Sequence, residues 1–423
     1  MMISKKTPQE AYVWIWLPHT TDPVVAGKLT HQNHQHVFNY GRSYLERSNA
    51  IPIYNKELPL HKGLIYPLNG LMIANCIRDA APDAWGRRVI LNRHFGHQSM
   101  QMDTLELNEL SYLLDSGSDR IGALDFQSSG SEYVPRCAGY VDLTELLESA
   151  ARVEQGIPLT PTLDQALFHG TSIGGARPKA FIEHNDKKYI AKFSSSSDVY
   201  NLVKLEFIAM RLAHLAGLDV ATVELNKVAH KDVLLIERFD RFQTEKGWER
   251  RGMLSALTLL GLDEMMARYA SYEQFAQIIR YQFKNPALTL KELFSRLIYN
   301  ILISNTDDHA RNHAAFYDGK TLSMTPAYDL CPQNRTGSVT TQAMLITGLD
   351  RRSQLSTCLL AANHFLLSQT EAKCIIEYQL NVIKTHWDDV CDLAQLSSVD
   401  KNIFWERQFL NPYAFLGLIN STD

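Results

Sequence analysis

The sequence has no Cys-x-x-Cys pair, no apolar run near the ~18 residues that span a bilayer, and little imbalance of charge. Each absence excludes a class of protein. The six cysteines (Cys76, Cys137, Cys331, Cys358, Cys374, Cys391) are scattered, which argues against a zinc ribbon, a thioredoxin-type redox site and a disulfide scaffold. A reducing cytoplasm is the expected location, with no membrane segment. Forty-two Lys and Arg face 46 Asp and Glu, a formal net charge of −4, so the chain as a whole has no electrostatic attraction to nucleic acid. No repeat is visible, and Ser194 to Ser197 is the one homopolymeric run. Residues 11–17 are apolar but short and lack a small-residue cleavage site, so they read as a strand and not as a signal peptide.

What is present is the composition of a soluble globular protein, 45% hydrophobic and 21% charged over 423 residues. That length exceeds one ordinary core and predicts two or three folding units of about 150 residues. Strand-like segments at 12–17 and 64–67 and a helical stretch at 84–92 predict a small α+β unit over residues 1–130. Within it Arg87, Arg88 and Arg93 read as a solvated helix face. A helical pattern at 140–153 is broken by Pro158 and Pro161. Strands are then predicted at 179–183, 188–193, 222–225 and 233–237, with a helix at 201–216 between the second and third. Long helices follow, notably 272–282 and 290–304. The chain thus runs from strand-rich to helix-rich, as a two-lobed kinase does.

The most specific string is Asn305-Thr306-Asp307-Asp308-His309-Ala310-Arg311-Asn312. In phosphoryl-transfer loops an Asp orients or accepts the proton of the attacking hydroxyl, and an Asn five positions on reaches magnesium through its side-chain oxygen. Asp307 and Asn312 have that separation, and Asp329 supplies the second carboxylate that a hard cation on phosphates requires. Between them, 314–325 reads as a hairpin turning at Asp318-Gly319. An isolated Asp-x4-Asn is usually a cap and a surface turn; the ordered set of apolar helix, polar loop, hairpin and second Asp favours phosphoryl transfer.

Upstream, Thr171-Ser172-Ile173-Gly174-Gly175-Ala176-Arg177-Pro178-Lys179 is a small-residue loop before a strand, suited either to backbone contact with phosphate or to a plain turn. It is not a Walker A loop, since no Gly-Lys-Ser/Thr ends it. Lys192, between Ala191 and Phe193 in a strand, calls for an anionic partner, either nucleotide phosphates or Glu206 on the next helix. Leu234 to Asp240 reads as a buried strand with a polar exit, the form of a hinge whose backbone meets an adenine edge beside Phe239. A metal hydrolase using Asp307, Asp308, His309 and His313 is disfavoured because Ala310 stands where a zincin has its catalytic Glu, and His31, His34 and His36 read as a polar loop.

Together these strings resemble the HipA family of bacterial kinase toxins, through nearly the whole chain. The N-terminal part contributes Asp79-Ala80-Ala81-Pro82-Asp83-Ala84-Trp85-Gly86-Arg87 and Asp119-Arg120-Ile121-Gly122-Ala123-Leu124; the remainder contributes Ser172 to Lys179, Glu237 to Arg241, Thr306 to Asn312 and Pro326-Ala327-Tyr328-Asp329. The resemblance implies an α+β, two-lobed, protein-kinase-like fold: an added N-terminal subdomain (1–130), an N-lobe with phosphate loop and hinge (131–250) and a largely helical C-lobe (251–423). It implies ATP and Mg2+ as cofactors, Asp307 as catalytic base, Asn312 and Asp329 as metal ligands, and Lys192 as the phosphate-binding lysine. Gly174, Gly175, Ala176, Arg177, Pro178 and Lys179 would cover the nucleotide, Glu237, Arg238 and Phe239 would meet its base, and His309, Ala310, Arg311 and Tyr328 would complete the site. Ser172, with Thr171 as the alternative, matches a serine that relatives phosphorylate in themselves to eject the loop, a step that phosphate repulsion would drive. The implied partners are a protein substrate, an aminoacyl-tRNA synthetase in some relatives, and a small helix-turn-helix antitoxin of HipB type, with DNA met only through that antitoxin. The rival from another class is a non-catalytic nucleotide-binding corepressor acting through the same antitoxin. Asp308 departs from relatives that carry a small residue there, and leaves open which of two adjacent carboxylates serves the metal.

Overall fold

The computed structural model describes residues 7–101, 107–136, 143–160, 177–184, 186–194, 200–335, 337 and 339–418. Contacts divide the chain into two compact units, the first made of residues 1–199, 226–253 and 317–320, the second of 200–225, 254–316 and 321–423. These units regroup the three segments expected from the sequence: residues 1–130 share one unit with most of 131–250, while residues 200–225 join the helical part.

The first unit opens on an antiparallel sheet of order β3-β2-β1-β4, from β1 (Glu10–Ile15), β2 (Val24–Gln32), β3 (Gln35–Tyr40) and β4 (Leu124–Gln127). Residues 64–67 form no strand; Ile65 makes a single bridge to Phe38. A second sheet has order β5-β6-β8-β7, from β5 (Lys179–His184), β6 (Lys187–Phe193), β7 (Val223–Val228) and β8 (Lys231–Glu237). Alternation along β6 buries Tyr189, Ala191 and Phe193 on one face. That face is filled by Trp85 and Val89 of the helix Ala84–Phe95 and by Leu146, Leu147, Ala150 and Val153 of the helix Leu143–Glu154. The aromatic of the Pro-Asp-Ala-Trp-Gly-Arg string is therefore core to the second sheet, and its Nε1 donates to the Lys179 carbonyl at 3.3 Å. Arg87 is no solvated face residue. It is buried, bonded to Glu109 at 2.7 Å and lies 4.4 Å from the Tyr112 ring centroid.

Past β8 the chain makes the hairpin of β9 (Arg241–Thr244) and β10 (Gly247–Arg250), and a three-stranded sheet of order β11-β12-β13 from β11 (Gly252–Ser255), β12 (Ala314–Tyr317) and β13 (Leu322–Met324). The predicted Asp318-Gly319 turn is present, but only Gly319 takes positive φ (+93°); a Cβ there would lie 2.5 Å from the Ile51 Cβ.

The second unit is built around the helix Pro286–Leu302, begun by Asn285 with Pro286 in its first turn and buried through Leu290, Leu293, Phe294, Leu297, Ile298 and Ile301. The helix Leu202–Leu215 packs here, with Tyr299 Oη donating to the Ala209 carbonyl at 2.5 Å. The helix Tyr272–Gln282 packs against the central helix too, and the 25-residue helix Gln369–Leu393, begun by a Ser368/Glu371 capping box, packs on both the central helix and Leu202–Leu215. Among the described residues no helix is long and apolar enough to cross a membrane.

Candidate functional site

The loop 305–312 owes its position to how the preceding helix ends. The helix was expected to reach residue 304 but stops at Leu302, because Ser304 turns left-handed (φ 52°) and two bonds close the end: Ser304 N to the Ile301 carbonyl at 3.1 Å and Asn305 N to the Asn300 carbonyl at 2.8 Å. This is a Schellman-type stop with serine where glycine is usual, a choice that costs about 1 kcal/mol. Asn305 Nδ2 then donates to Asn300 Oδ1 at 2.9 Å, so the chain leaves the helix in a fixed direction.

Asp307 lies open to solvent at the loop tip. Asn312 is buried and donates through Nδ2 to the Asp307 carbonyl at 3.2 Å; His309 N reaches the same carbonyl at 2.8 Å. Desolvation lifts the Asp307 carboxyl above its ordinary range; His309 opposes this, and the neighbouring Asp329 and Asp308 charges reinforce it. Asp329 holds a left-handed backbone (φ 59°), a strain of the kind that gathers at functional positions, and its carbonyl lies 3.4 Å from Asn305 Nδ2. The structure thus brings Asp307, Asn312 and Asp329 into one neighbourhood of the second unit. Tyr328 Oη donates to the Arg311 carbonyl at 2.6 Å, Arg311 pairs with Glu264 at 2.6 Å, Ala310 is buried, and His309 Nδ1 is enclosed with no hydrogen-bond partner among the described residues.

Asp308 is turned away from the loop tip. Its buried carboxylate accepts from Tyr272 Oη and lies 2.9 Å from His313 Nε2. Burial, with Asp308 second, pushes the Tyr272 phenol far up, so it remains an O–H donor. The carboxylate left for the loop's outer face is Asp307. Sequence reading missed Arg296, a fully buried guanidinium that donates to the Asp219 carbonyl at 3.0 Å and the Thr325 carbonyl at 2.9 Å. It ties the strand leading to Asp329 to the central helix; its only signal in the sequence is a charge on an otherwise apolar helix face.

In the first unit, Lys179 and Lys192 stand directly opposite each other on β5 and β6, Lys179 buried and Lys192 half-buried. Arg177 is exposed and Pro178 buried before β5; Thr171, Ser172, Gly174, Gly175 and Ala176 lie outside the described residues. Glu237 pairs with Lys187 at 2.7 Å, and Phe239 is half-buried. Arg238 differs from the nucleotide-contact expectation. Its backbone N–H bonds the Lys188 carbonyl at 2.8 Å, and its guanidinium is buried against Asp240 and Asp119, each at 2.9 Å. Arg241 reaches Asp119 and Asp240 as well, at 2.9 Å each, and Gly122 N caps Asp240 at 2.8 Å. Burial alone would raise Asp119, but Arg238 and Arg241 hold its carboxyl well below the usual range. The Asp-Arg-Ile-Gly-Ala-Leu and Glu-Arg-Phe-Asp-Arg strings are two halves of one buried ion network.

Among the described residues no three His, Cys, Asp or Glu side chains gather as a metal cluster, and His31 and His36 face each other as a ring pair at 5.0 Å. The oxygen donors that Asn312 and Asp329 offer are of the hard type that suits magnesium, whereas zinc favours nitrogen and sulfur donors.

Comparison with known proteins bears on the family and the fold. The model of the HipA-like C-terminal domain matches residues 171–387, and that of the HipA N-terminal domain matches 19–127. The chain is 24% identical to the protein Y4mE of Sinorhizobium fredii over 73% of this chain and 75% of that one. It is 26% identical to the serine/threonine-protein kinase toxin HipA of Shewanella oneidensis over 38% of this chain and 42% of that protein. The solved Shewanella oneidensis HipA, in a complex with HipB and operator DNA, shares the fold with a TM-score of 0.66 at 18% identity, covering 93% of each chain. With both domain models matching in order and an α+β kinase-like fold over nearly its full length, the chain belongs to the HipA family of kinases.

Proposed function

We propose that the protein is an ATP- and Mg2+-dependent serine/threonine protein kinase of the toxin type, acting in the cytoplasm. The observation that carries this reading is the grouping of Asp307, Asn312 and Asp329 around the loop that follows one buried helix, with Asp307 feeling the charge of Asp329. Magnesium, when bound, would neutralise phosphate oxygens and orient the triphosphate. Asn312 and Asp329 are the side chains that would hold it. Asp307 would accept a hydrogen bond from a serine or threonine hydroxyl and orient its oxygen for attack; the raised carboxyl affinity for a proton suits that task. Lys192 would serve the phosphates and the half-buried Phe239 the base. Self-phosphorylation at Ser172 or Thr171 would set about two negative charges in a loop built for an anionic ligand and switch the enzyme off. A cellular protein, an aminoacyl-tRNA synthetase among the classes to be tried, is the proposed target, and a small helix-turn-helix antitoxin of HipB type the proposed partner, through which DNA would be met.

Purified protein with radiolabelled ATP and magnesium is expected to label itself, and Asp307→Asn to lose at least 100-fold of that labelling. Equal labelling by wild type and variant would remove Asp307 from its role. ATP binding without labelling in either would favour the corepressor reading.

A further inference from the structure

Asp307 and Asp308 are neighbours in sequence with opposite fates. Asp307 faces solvent, whereas the Asp308 carboxylate is sealed inside the second unit between Tyr272 Oη and His313 Nε2, the latter at 2.9 Å. Tyr272 Oη lies 3.2 Å from the same imidazole nitrogen, so the three side chains form a closed buried triangle. Its corners come from different places. Tyr272 begins the helix Tyr272–Gln282 and is docked there by its own N–H on the Leu345 carbonyl at 2.9 Å. Asp308 follows Asp307, and His313 follows Asn312.

A buried carboxylate keeps its charge only with donors around it, and removing one donor leaves the other groups uncompensated. The triangle therefore resists displacement of either end of the loop. Between its ends the loop is also held by two main-chain bonds, His309 N to the Asp307 carbonyl and Asn312 N to the His309 carbonyl, both 2.8 Å, by the Arg311–Glu264 pair, and by Tyr328 Oη on the Arg311 carbonyl at 2.6 Å. The two main-chain bonds are internal to the loop, the Glu264 pair is partly open to water, and the Tyr328 bond holds the Arg311 main chain and neither Asp307 nor Asn312. We propose that Asp308, Tyr272 and His313 are positioning residues: a buried clamp that fixes the loop from both ends, so that the Asp307 carboxylate and the Asn312 side chain are held at one spacing without any of the three touching substrate. The inference rests on the kinase reading of the loop, in which a displacement of about 1 Å can cost on the order of 100-fold in rate.

The test uses the full-length protein and two readouts. Tyr272→Phe retains the ring that packs on His313 and Phe365 and removes one hydroxyl. Tyr272→Phe and Asp308→Asn are each expected to lower kcat for ATP-dependent phosphorylation at least tenfold with KM for ATP within twofold. The double variant should fall no further than Asp308→Asn, because the groups act as one unit. His313→Gln, whose amide nitrogen reproduces the Nε2 donor, should keep most of kcat. Hydrogen exchange without nucleotide should show the His309 and Asn312 amides exchanging about tenfold faster in the two single variants, with the helix Pro286–Leu302 unchanged. Unchanged loop exchange, unchanged kcat, or acceleration spread evenly through the unit would each overturn the clamp. An inactive wild type would sink the kinase reading instead, and loop exchange alone would then decide whether the triangle holds the loop.

Discussion

Three carboxylates near one loop tip make a charge problem that the fold leaves partly open. Asp308 is settled by its buried donors, but Asp307 and Asp329 repel, and the Asp307 carboxyl binds its proton more tightly than an ordinary aspartate. The sign of the linkage follows. A carboxyl whose folded pKa lies above its unfolded value favours the folded state at low pH, and that contribution is lost as pH rises from about 3.9 through the raised value. At neutral pH the loop therefore gains from a cation. Magnesium chloride alone is expected to raise the melting temperature of wild-type protein at pH 7 and to leave Asp329→Asn unmoved, as calorimetry would show. In the same variant, carbon NMR of Asp307 should find its titration moved down toward the ordinary range, because one of its repelling neighbours is gone.

At the scale of elements, the buried network joining residues 119–122 to 238–241 holds the end of β8 in place. Gly122 takes φ +77° with the Met253 backbone 3.5 Å from where a Cβ would stand, which lets its N–H reach Asp240. Asp119→Asn would leave Arg238 and Arg241 short of charge in the interior, at a cost of about 3–5 kcal/mol at neutral pH. Because the folded carboxyl is held low, its contribution is complete above the unfolded value and disappears as pH falls through the depressed one. Urea unfolding followed from pH 7 to pH 3 should therefore show wild type and Asp119→Asn converging toward acid; a constant gap would show that the charge is not what stabilises the joint. The two halves of this network were not legible as a pair in the sequence, since Asp119 and Arg238 stand 119 positions apart and residues 234–240 alone read as a polar exit from a strand. Arg87 misled for the same reason: helical spacing says which residues share a face, not what covers it.

For the whole molecule, the N-terminal segment is not an appendage to the β5–β8 sheet but part of its core. Trp85 and Val89 fill the same cluster as Tyr189, Phe193 and Leu235. Trp85→Ala is expected to cost about 3–5 kcal/mol, and a chain starting at residue 131 to be insoluble or to exchange its β5 and β6 amides rapidly; a soluble, protected fragment would contradict the shared core. Periodicity and turn residues located the long helices and the strands β1, β5 to β8, β12 and β13, because those signals are local: alternation in β6, the apolar stripe of Pro286–Leu302, the Asp-Gly hairpin; they did not place β2 to β4 or β9 to β11. The spacing of Asp307, Asn312 and Asp329 likewise stands in the linear order of residue types. Tertiary structure alone decided that Asp308 turns inward while Asp307 faces out, that Arg238 serves an ion network, and that Ser304 ends its helix early. Those outcomes depend on which distant donors and acceptors surround a group once water has been removed, and no local pattern carries that information.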